Sequence, residues 1–327
     1  MRICVYGAGA IGGHIAARLA KGGADVSVVA RGPHLRAMQA DGLSVAAADG
    51  VLHCRPRASD DPATLGPQDA VIVTTKVTAL SQVAAGIAPL LGPDTAVAFV
   101  TNGIPWWYFD RTARDGRRLP LLDPGEAVRD AVGIHRTLGG IVYSAATVTR
   151  PGHVEALAPD NRVVLGELDG AMTPRLQALA DAIAAGGIGG VATPDIRGAV
   201  WAKLLGNMMN GPLCLLARSS MQDTLADPVI RQAAIAAARE VMAIAAAYGH
   251  PITGQTPEDR IARSSKIAHR PSILQDLDAG RAMEIDALFT VPLQLAREAG
   301  VPTPILDLSV ALVMRAAVAA GVHRVVA

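Results

Sequence analysis

The chain begins with a strand and a turn that few folds can accommodate. Arg2-Ile3-Cys4-Val5-Tyr6 is an apolar β-type run, and it feeds directly into Gly7-Ala8-Gly9-Ala10-Ile11-Gly12. A G-x-G-x-x-G turn between a strand and an amphipathic stretch, here Gly13 to Lys21, predicts a dinucleotide-binding fold. Gly7 is expected to make the tight turn, Gly9 to let a pyrophosphate approach the backbone, and Gly12 to let helix and strand pack closely. The amides of Ala10 and Ile11, at the positive end of the new helix, complete the expected phosphate site. A second strand, Asp25 to Ala30, arrives at βαβ distance.

The end of that second strand bears on which dinucleotide binds. An Asp or Glu there accepts from the ribose 2′-OH of NAD, whereas an Arg accommodates the 2′-phosphate of NADP. This chain has Ala30-Arg31-Gly32 and no acidic residue until Asp41. A guanidinium is always charged and matches phosphate oxygens bidentately, so Arg31 points to NADP. The plainer alternative is a solvated loop charge.

A length of 327 residues makes two domains the default. A net charge of +1 gives no reason to expect nucleic acid or an anionic membrane as partner. No apolar run approaches the ~20 residues of a membrane span. The three cysteines, Cys4, Cys54 and Cys214, lack C-x-x-C spacing and read as buried, reduced thiols of a cytoplasmic protein. The histidines form no metal-binding cluster, so no metal site is expected.

The first part of the chain alternates strand and helix. A helix over His34–Asp41 precedes a hairpin of Leu43–Val45 with Val51–Arg55. The strand Ala70–Thr75 ends in Lys76, a helix spans Leu80–Leu91, and the strand Thr95–Val100 ends in Thr101-Asn102-Gly103. Strand-like segments Gly140–Val148 and His153–Ala156 flank a turn at Arg150-Pro151-Gly152, and Arg162–Gly166 reads as the last strand. Beyond Thr193 the pattern is helical: Gly198–Arg218, Pro228–Tyr248, Pro257–Ala268, Arg281–Ala299 and Ile305–Ala320. The fold class expected is therefore α/β, a Rossmann-type dinucleotide-binding domain over 1–192 joined to an all-helical domain over 193–327, with a cleft between them.

Arginine has replaced lysine almost everywhere: of 30 basic residues only Lys21, Lys76, Lys203 and Lys266 are lysines. Arg cannot release a proton near neutral pH, whereas a partly desolvated Lys can. Lys21 and Lys266 read as ordinary surface residues. Lys76 stands at a strand end, on the edge that carries the glycine turn. Lys203 precedes Asn207 by four residues, which puts both on one face of an otherwise apolar helix. Such a polar spot costs stability unless it meets a partner. A ketone oxygen undergoing reduction is one such partner, with Lys203 donating the proton and Asn207 orienting the group. An interdomain hydrogen bond without chemistry is the other reading.

Taken together, these motifs resemble the ketopantoate reductases (2-dehydropantoate 2-reductases) nearly from end to end. The resemblance rests on the glycine turn, Thr75-Lys76, Asn102-Gly103 and Trp201-x-Lys203-Leu204-x-x-Asn207. It continues in Ser272-Ile273-Leu274-Gln275-Asp276-Leu277, Met283-Glu284-Ile285-Asp286 and Gly300-Val301-Pro302-Thr303-Pro304. It implies NADPH-dependent reduction of a small 2-keto acid, ketopantoate first, to pantoate for pantothenate synthesis, and it leaves room for a homodimer. Lys203 would be the general acid and Glu284 its carboxylate partner. Asn207 and Ser272 would bind substrate, while Lys76, Asn102 and Arg31 would face the cofactor. Two departures stand out. The family's second substrate amide, one turn beyond Asn207, is replaced by Gly211, so that amide is missing or comes from Asn210 in shifted register. Trp106-Trp107-Tyr108-Phe109 holds four of the ten aromatics, and it either lines a larger or more apolar pocket or serves as a packed loop or subunit contact. Another branched or aromatic 2-keto acid, or an NADPH-binding sensor without turnover, are the alternative functions.

Overall fold

Apolar strand runs without polar alternation require a sheet covered on both faces, and the computed structural model, which describes residues 1–323, contains one. Twelve strands are formed among the described residues: β1 (Arg2–Tyr6), β2 (Asp25–Val29), β3 (Leu43–Ala47), β4 (Gly50–Cys54), β5 (Arg57–Ser59), β6 (Gln68–Val73), β7 (Leu91–Val100), β8 (Thr137–Tyr143), β9 (Thr147–Arg150), β10 (His153–Ala156), β11 (Arg162–Glu167) and β12 (Gly189–Ala192). Eight of them form one sheet in the order β12-β11-β8-β7-β6-β1-β2-β5. All neighbours in it run parallel except β8 and β11. Val5 of β1 pairs with Val28 on one side and Ile72 on the other, so strand order reverses around β1. Ligands of such sheets bind at the carboxyl ends of the strands flanking this reversal. A smaller sheet, β4-β3-β10-β9, accompanies it.

The helices in this first part are α1 (Ala10–Lys21), α2 (Gly32–Asp41), α3 (Leu80–Gly86), α4 (Ala127–Val132) and α5 (Pro174–Ala185). Ile3, Val5, Val28 and Ile72 of the sheet and Ile15, Leu19, Leu179 and Ile183 of α1 and α5 are at most 1% exposed and share one core. The remaining helices are α6 (Ile196–Ala217), α7 (Met221–Ala226), α8 (Pro228–Ala247), α9 (Pro257–Ser264), α10 (Ser272–Asp278), α11 (Val291–Glu298) and α12 (Pro304–Ala319), with a π-helical turn over Asp286–Thr290. Two compact units result, Met1–Thr101 with Trp106–Ile196, and Asn102–Pro105 with Arg197 onward. The first is a Rossmann-type α/β unit and the second is helical.

Several expected elements are corrected. Arg162–Gly166 is not the last strand: the glycine-rich β12 adds an edge beyond it. The stretch Gly140–Val148 is split, β8 entering the large sheet and β9 the small one. The helix expected over Leu80–Leu91 ends at Gly86, and residues from Leu91 onward already belong to β7. A Cβ on Gly86 would meet the Tyr6 hydroxyl at 2.8 Å, so glycine permits the close approach at this end. The helix expected from Arg281 begins only near Asp286. Cys4 and Cys214 are buried, but Cys54 is only partly so.

Candidate active site

The first unit gathers a phosphate cradle at the carboxyl ends of β1, β2 and β6. Gly7 has φ +101°, a conformation that an L side chain resists, and Gly7 and Ala8 both donate to the Val29 carbonyl at 3.0 Å. A Cβ on Gly12 would fall on the Gly7 carbonyl and 2.5 Å from Thr74 Oγ1, so only glycine lets α1 start this close to the turn. A Cβ on Gly9 would meet nothing within 4 Å, leaving open space above the backbone at the start of α1. The first turn of α1, containing Ala10 and Ile11, has no capping side chain and no acidic residue. Its amides are thus available to an anion. Beside them the buried Thr75 hydroxyl has no hydrogen-bond partner. Lys76 follows it, half-buried at the start of a short 3-10 turn.

Arg31 leads into α2 from the end of β2. Its guanidinium is exposed, and Nη1 donates to Gln82 Oε1 at 2.7 Å. These features fit a dinucleotide: open space at Gly9, donors around it, an orphaned hydroxyl and a cation at the ribose end. The aromatic run is buried in this unit. Trp106, Trp107, Tyr108 and Phe109 are at most 3% exposed. Trp106 lies edge-on to Phe99 at 5.3 Å, and Arg129 and Arg117 stack over Trp106 and Phe109. These contacts support the packed-loop reading.

The second unit holds the other set. Lys203 and Asn207 lie one turn apart on α6, both half-buried, while Trp201, Leu204, Leu205, Met208 and Met209 around them are at most 1% exposed. Trp201 stacks on Tyr248 with centroids 6.4 Å apart, and Arg260 Nη2 donates to the Ala202 carbonyl at 3.1 Å, fixing this turn of the helix. His269, which sequence reasoning passed over, lies within the field of Lys203: burial first and the Lys203 ammonium second push its imidazole below the ordinary value. No spacing rule links residues 203 and 269, so nothing local could have singled it out. Glu284 is 8% exposed, and Asn102 Nδ2 donates to its Oε2 at 3.4 Å. This bond joins two motifs 182 residues apart in sequence.

Two expected substrate residues sit differently. Asn210 is turned into the interior, donating to Ser264 Oγ at 3.2 Å, with its own Oδ1 buried and unpartnered. Its Nδ2 is thus engaged with Ser264 rather than presented in the place of Gly211. Gly211 faces apolar groups instead: a Cβ there would meet Ile273 Cγ2 at 3.4 Å and Phe289 Cζ at 3.7 Å. Ser272 is exposed at the first position of α10. Among the described residues no group of His, Cys, Asp and Glu is arranged to hold a metal ion, and no helix is long and apolar enough to cross a membrane.

A glycine-turn Rossmann unit joined to a helical unit bearing a Lys–Asn pair and a buried carboxylate defines a two-domain dinucleotide-dependent oxidoreductase. The family models described as "Ketopantoate reductase PanE/ApbA" and "Ketopantoate reductase PanE/ApbA C terminal" match residues 3–170 and 195–317. The chain belongs to the ketopantoate reductase family. A 2-dehydropantoate 2-reductase of Mesorhizobium japonicum is 40% identical over 99% of this chain and 100% of its own length. A candidate ketopantoate reductase from Ralstonia solanacearum superposes with TM-score 0.90 at 38% identity, covering 98% of this chain and 99% of that one. The 2-dehydropantoate 2-reductase of Geobacter metallireducens gives TM-score 0.85 at 28% identity over 97% of this chain and 100% of its own.

Proposed function

We propose that the protein reduces 2-dehydropantoate to pantoate with NADPH, the reductive step of pantothenate synthesis. The observation that carries this reading is the Asn102–Glu284 hydrogen bond, which assembles a buried carboxylate in the same unit as the half-buried Lys203 and Asn207. A sensor that only binds NADPH has no use for this acid–carboxylate set. The Gly7–Gly12 turn and the amides of Ala10 and Ile11 would hold the pyrophosphate, Arg31 the 2′-phosphate, and Thr75 and Lys76 the neighbouring part of the dinucleotide. When bound, the nicotinamide supplies the hydride for the keto carbon. Lys203 Nζ donates a proton to the substrate oxygen as it gains negative charge, which lowers the barrier where charge develops. Glu284 would be the carboxylate partner of that ammonium. Asn207 and Ser272 would bind the hydroxyl and carboxylate groups of the substrate.

Gly211 favours a second reading, a branched 2-keto acid without a distal hydroxyl. Where that amide would stand, Gly211 leaves bare backbone packed beside the buried Ile273 and Phe289, with no polar group to recognise a hydroxyl. An aromatic keto acid draws no support from the buried run 106–109.

The test is a panel of 2-keto acids followed by NADPH absorbance, with Lys203 variants. Lys203→Ala should lower kcat by ~10²–10⁴-fold with NADPH affinity unchanged. Lys203→Arg keeps the charge but is too weak an acid to release its proton, so it should be nearly as poor. A Lys203→Arg enzyme with near-normal kcat would refute proton donation and leave Lys203 as an electrostatic anchor.

A further inference from the structure

The π-helical turn Asp286–Thr290 runs directly into α11, and the second residue of α11 is Pro292. In this turn the Val291 amide returns to the Asp286 carbonyl, five residues back. In the same register the next amide would return to Ala287, but residue 292 is proline and has no N–H. The proline ring would also collide with the carbonyl four residues back in a regular helix, and the wider turn relieves that collision. The Ala287 carbonyl is therefore left without a donor inside the helix.

It finds one outside. Ile104, fully buried, donates its amide to Ala287 O at 2.9 Å. The neighbouring Gly103 has φ +80°, and a Cβ there would fall on the Ala287 carbonyl, so only glycine lets the segment lie this close. The residue before it is Asn102, whose amide reaches Glu284. All of these residues belong to the second unit.

We infer that Pro292 is a positioning residue for the reaction: by withholding its amide it reserves the Ala287 carbonyl for Ile104, and so holds Asn102 against the Glu284 carboxylate. The inference rests on the proposed role of Glu284. Replacing Pro292 by a residue with an N–H lets the helix close on itself, through either an α or a π register, and both registers bring a second donor to Ala287 O, drawing it towards the helix axis and weakening its bond to Ile104. Removing a proline from a helix favours the helix, so the variant should weaken the contact without losing the fold.

The experiment compares Pro292→Ala, Asn102→Ala and the double variant with the native full-length chain. In Pro292→Ala, hydrogen exchange at the Ile104 amide should quicken on the order of tenfold, the loss of one buried hydrogen bond, while Tm stays level or rises. With 2-dehydropantoate and NADPH, Pro292→Ala and Asn102→Ala should each cost about tenfold in kcat/KM. Asn102→Ala should cost less than about twofold in the Pro292→Ala background, because the two act through one contact. Unchanged Ile104 exchange in Pro292→Ala overturns the inference, as does an Asn102→Ala penalty of equal size in both backgrounds. A lowered Tm with faster exchange throughout the second unit also overturns it, marking Pro292 as a packing residue. If the native protein reduces no keto acid, the functional reading fails by itself, and exchange at Ile104 still decides whether the contact is held by the proline.

Discussion

Acidification should loosen the first unit beneath α1, and His14 sets the size of the effect. The ring lies on α1 and is 1% exposed. Arg18 Nε approaches its Nε2 at 3.3 Å, and Ser144 Oγ lies 3.1 Å from Nδ1. Arginine has only donors, so Nε2 must offer a lone pair, and the single ring proton sits on Nδ1 facing Ser144. A second proton would point at a guanidinium. Burial first, and the Arg18 charge second, depress the imidazole to about 4 from the ordinary 6.5. The unfolded chain then binds more protons than the folded one between those two values, so stability falls as pH drops through the window. At 1.36 kcal/mol per pH unit, the drop from 6.5 to about 4 amounts to about 3 kcal/mol. At roughly 2–4 °C per kcal/mol for a unit of this size, Tm should fall by roughly 6–12 °C. Calorimetry at constant ionic strength from pH 7.5 to about 3.5, below the folded-state value of the ring, measures it. His14→Gln keeps an acceptor for Arg18 and cannot titrate, so its curve should be lower at neutral pH and much flatter below 6.5. The shifted rings of His34 and His269 are present in both proteins and cancel in the comparison. Parallel curves for the two proteins below pH 6.5 would refute the argument.

Two further outcomes concern the ligands. On the proposal that Arg31 holds a 2′-phosphate, Arg31→Ala should weaken NADPH binding by about 1.5–3 kcal/mol, with NADH binding nearly unchanged in calorimetric titration; equal losses for both cofactors would take Arg31 out of the phosphate site. Gly211→Asn places an amide where Ile273 and Phe289 now face a bare backbone, and contacts at 3.4 and 3.7 Å leave room for its Cβ. The ratio of kcat/KM for 2-dehydropantoate over its analogue without the hydroxyl should rise by roughly 5–20-fold, the worth of one hydrogen bond, and an unchanged ratio would put residue 211 outside the substrate pocket.

What could be read from the sequence was what local physics dictates. Gly7 and Gly12 are fixed by a positive φ and a close helix approach, both consequences of a short motif. Strands β1, β2, β6 and β7 are buried along most of their lengths and so appear as apolar runs. Lys203 and Asn207 were legible because four residues make one helical turn. By contrast, β12 is an edge strand of Gly189-Gly190-Val191-Ala192, whose composition reads as a linker; Gly190 is required because a Cβ there would collide with the Ala180 carbonyl of α5. The pairing of Asn102 with Glu284 and the capture of Ala287 by Ile104 depend on contacts across more than 180 residues. The fate of Asn210 was equally hidden, since only the fold brings Ser264 to it.

The four residues Asn102–Pro105 make the helical unit discontinuous in sequence. The backbone therefore passes from one unit to the other three times, after Thr101, after Pro105 and after Ile196. A fragment beginning at Arg197 would contain every helix from α7 onward and nearly all of α6, yet it would lack the strip that covers Ala287. It would carry a carbonyl built to be dry and satisfied, now without its donor and open to water, losing about 0.5–1.5 kcal/mol of hydrogen bonding as well as the packing of Ile104. Separating the halves of this protein for domain exchange calls for grafting that tetrapeptide as well, because the helical half inherits part of its interior from the middle of the other.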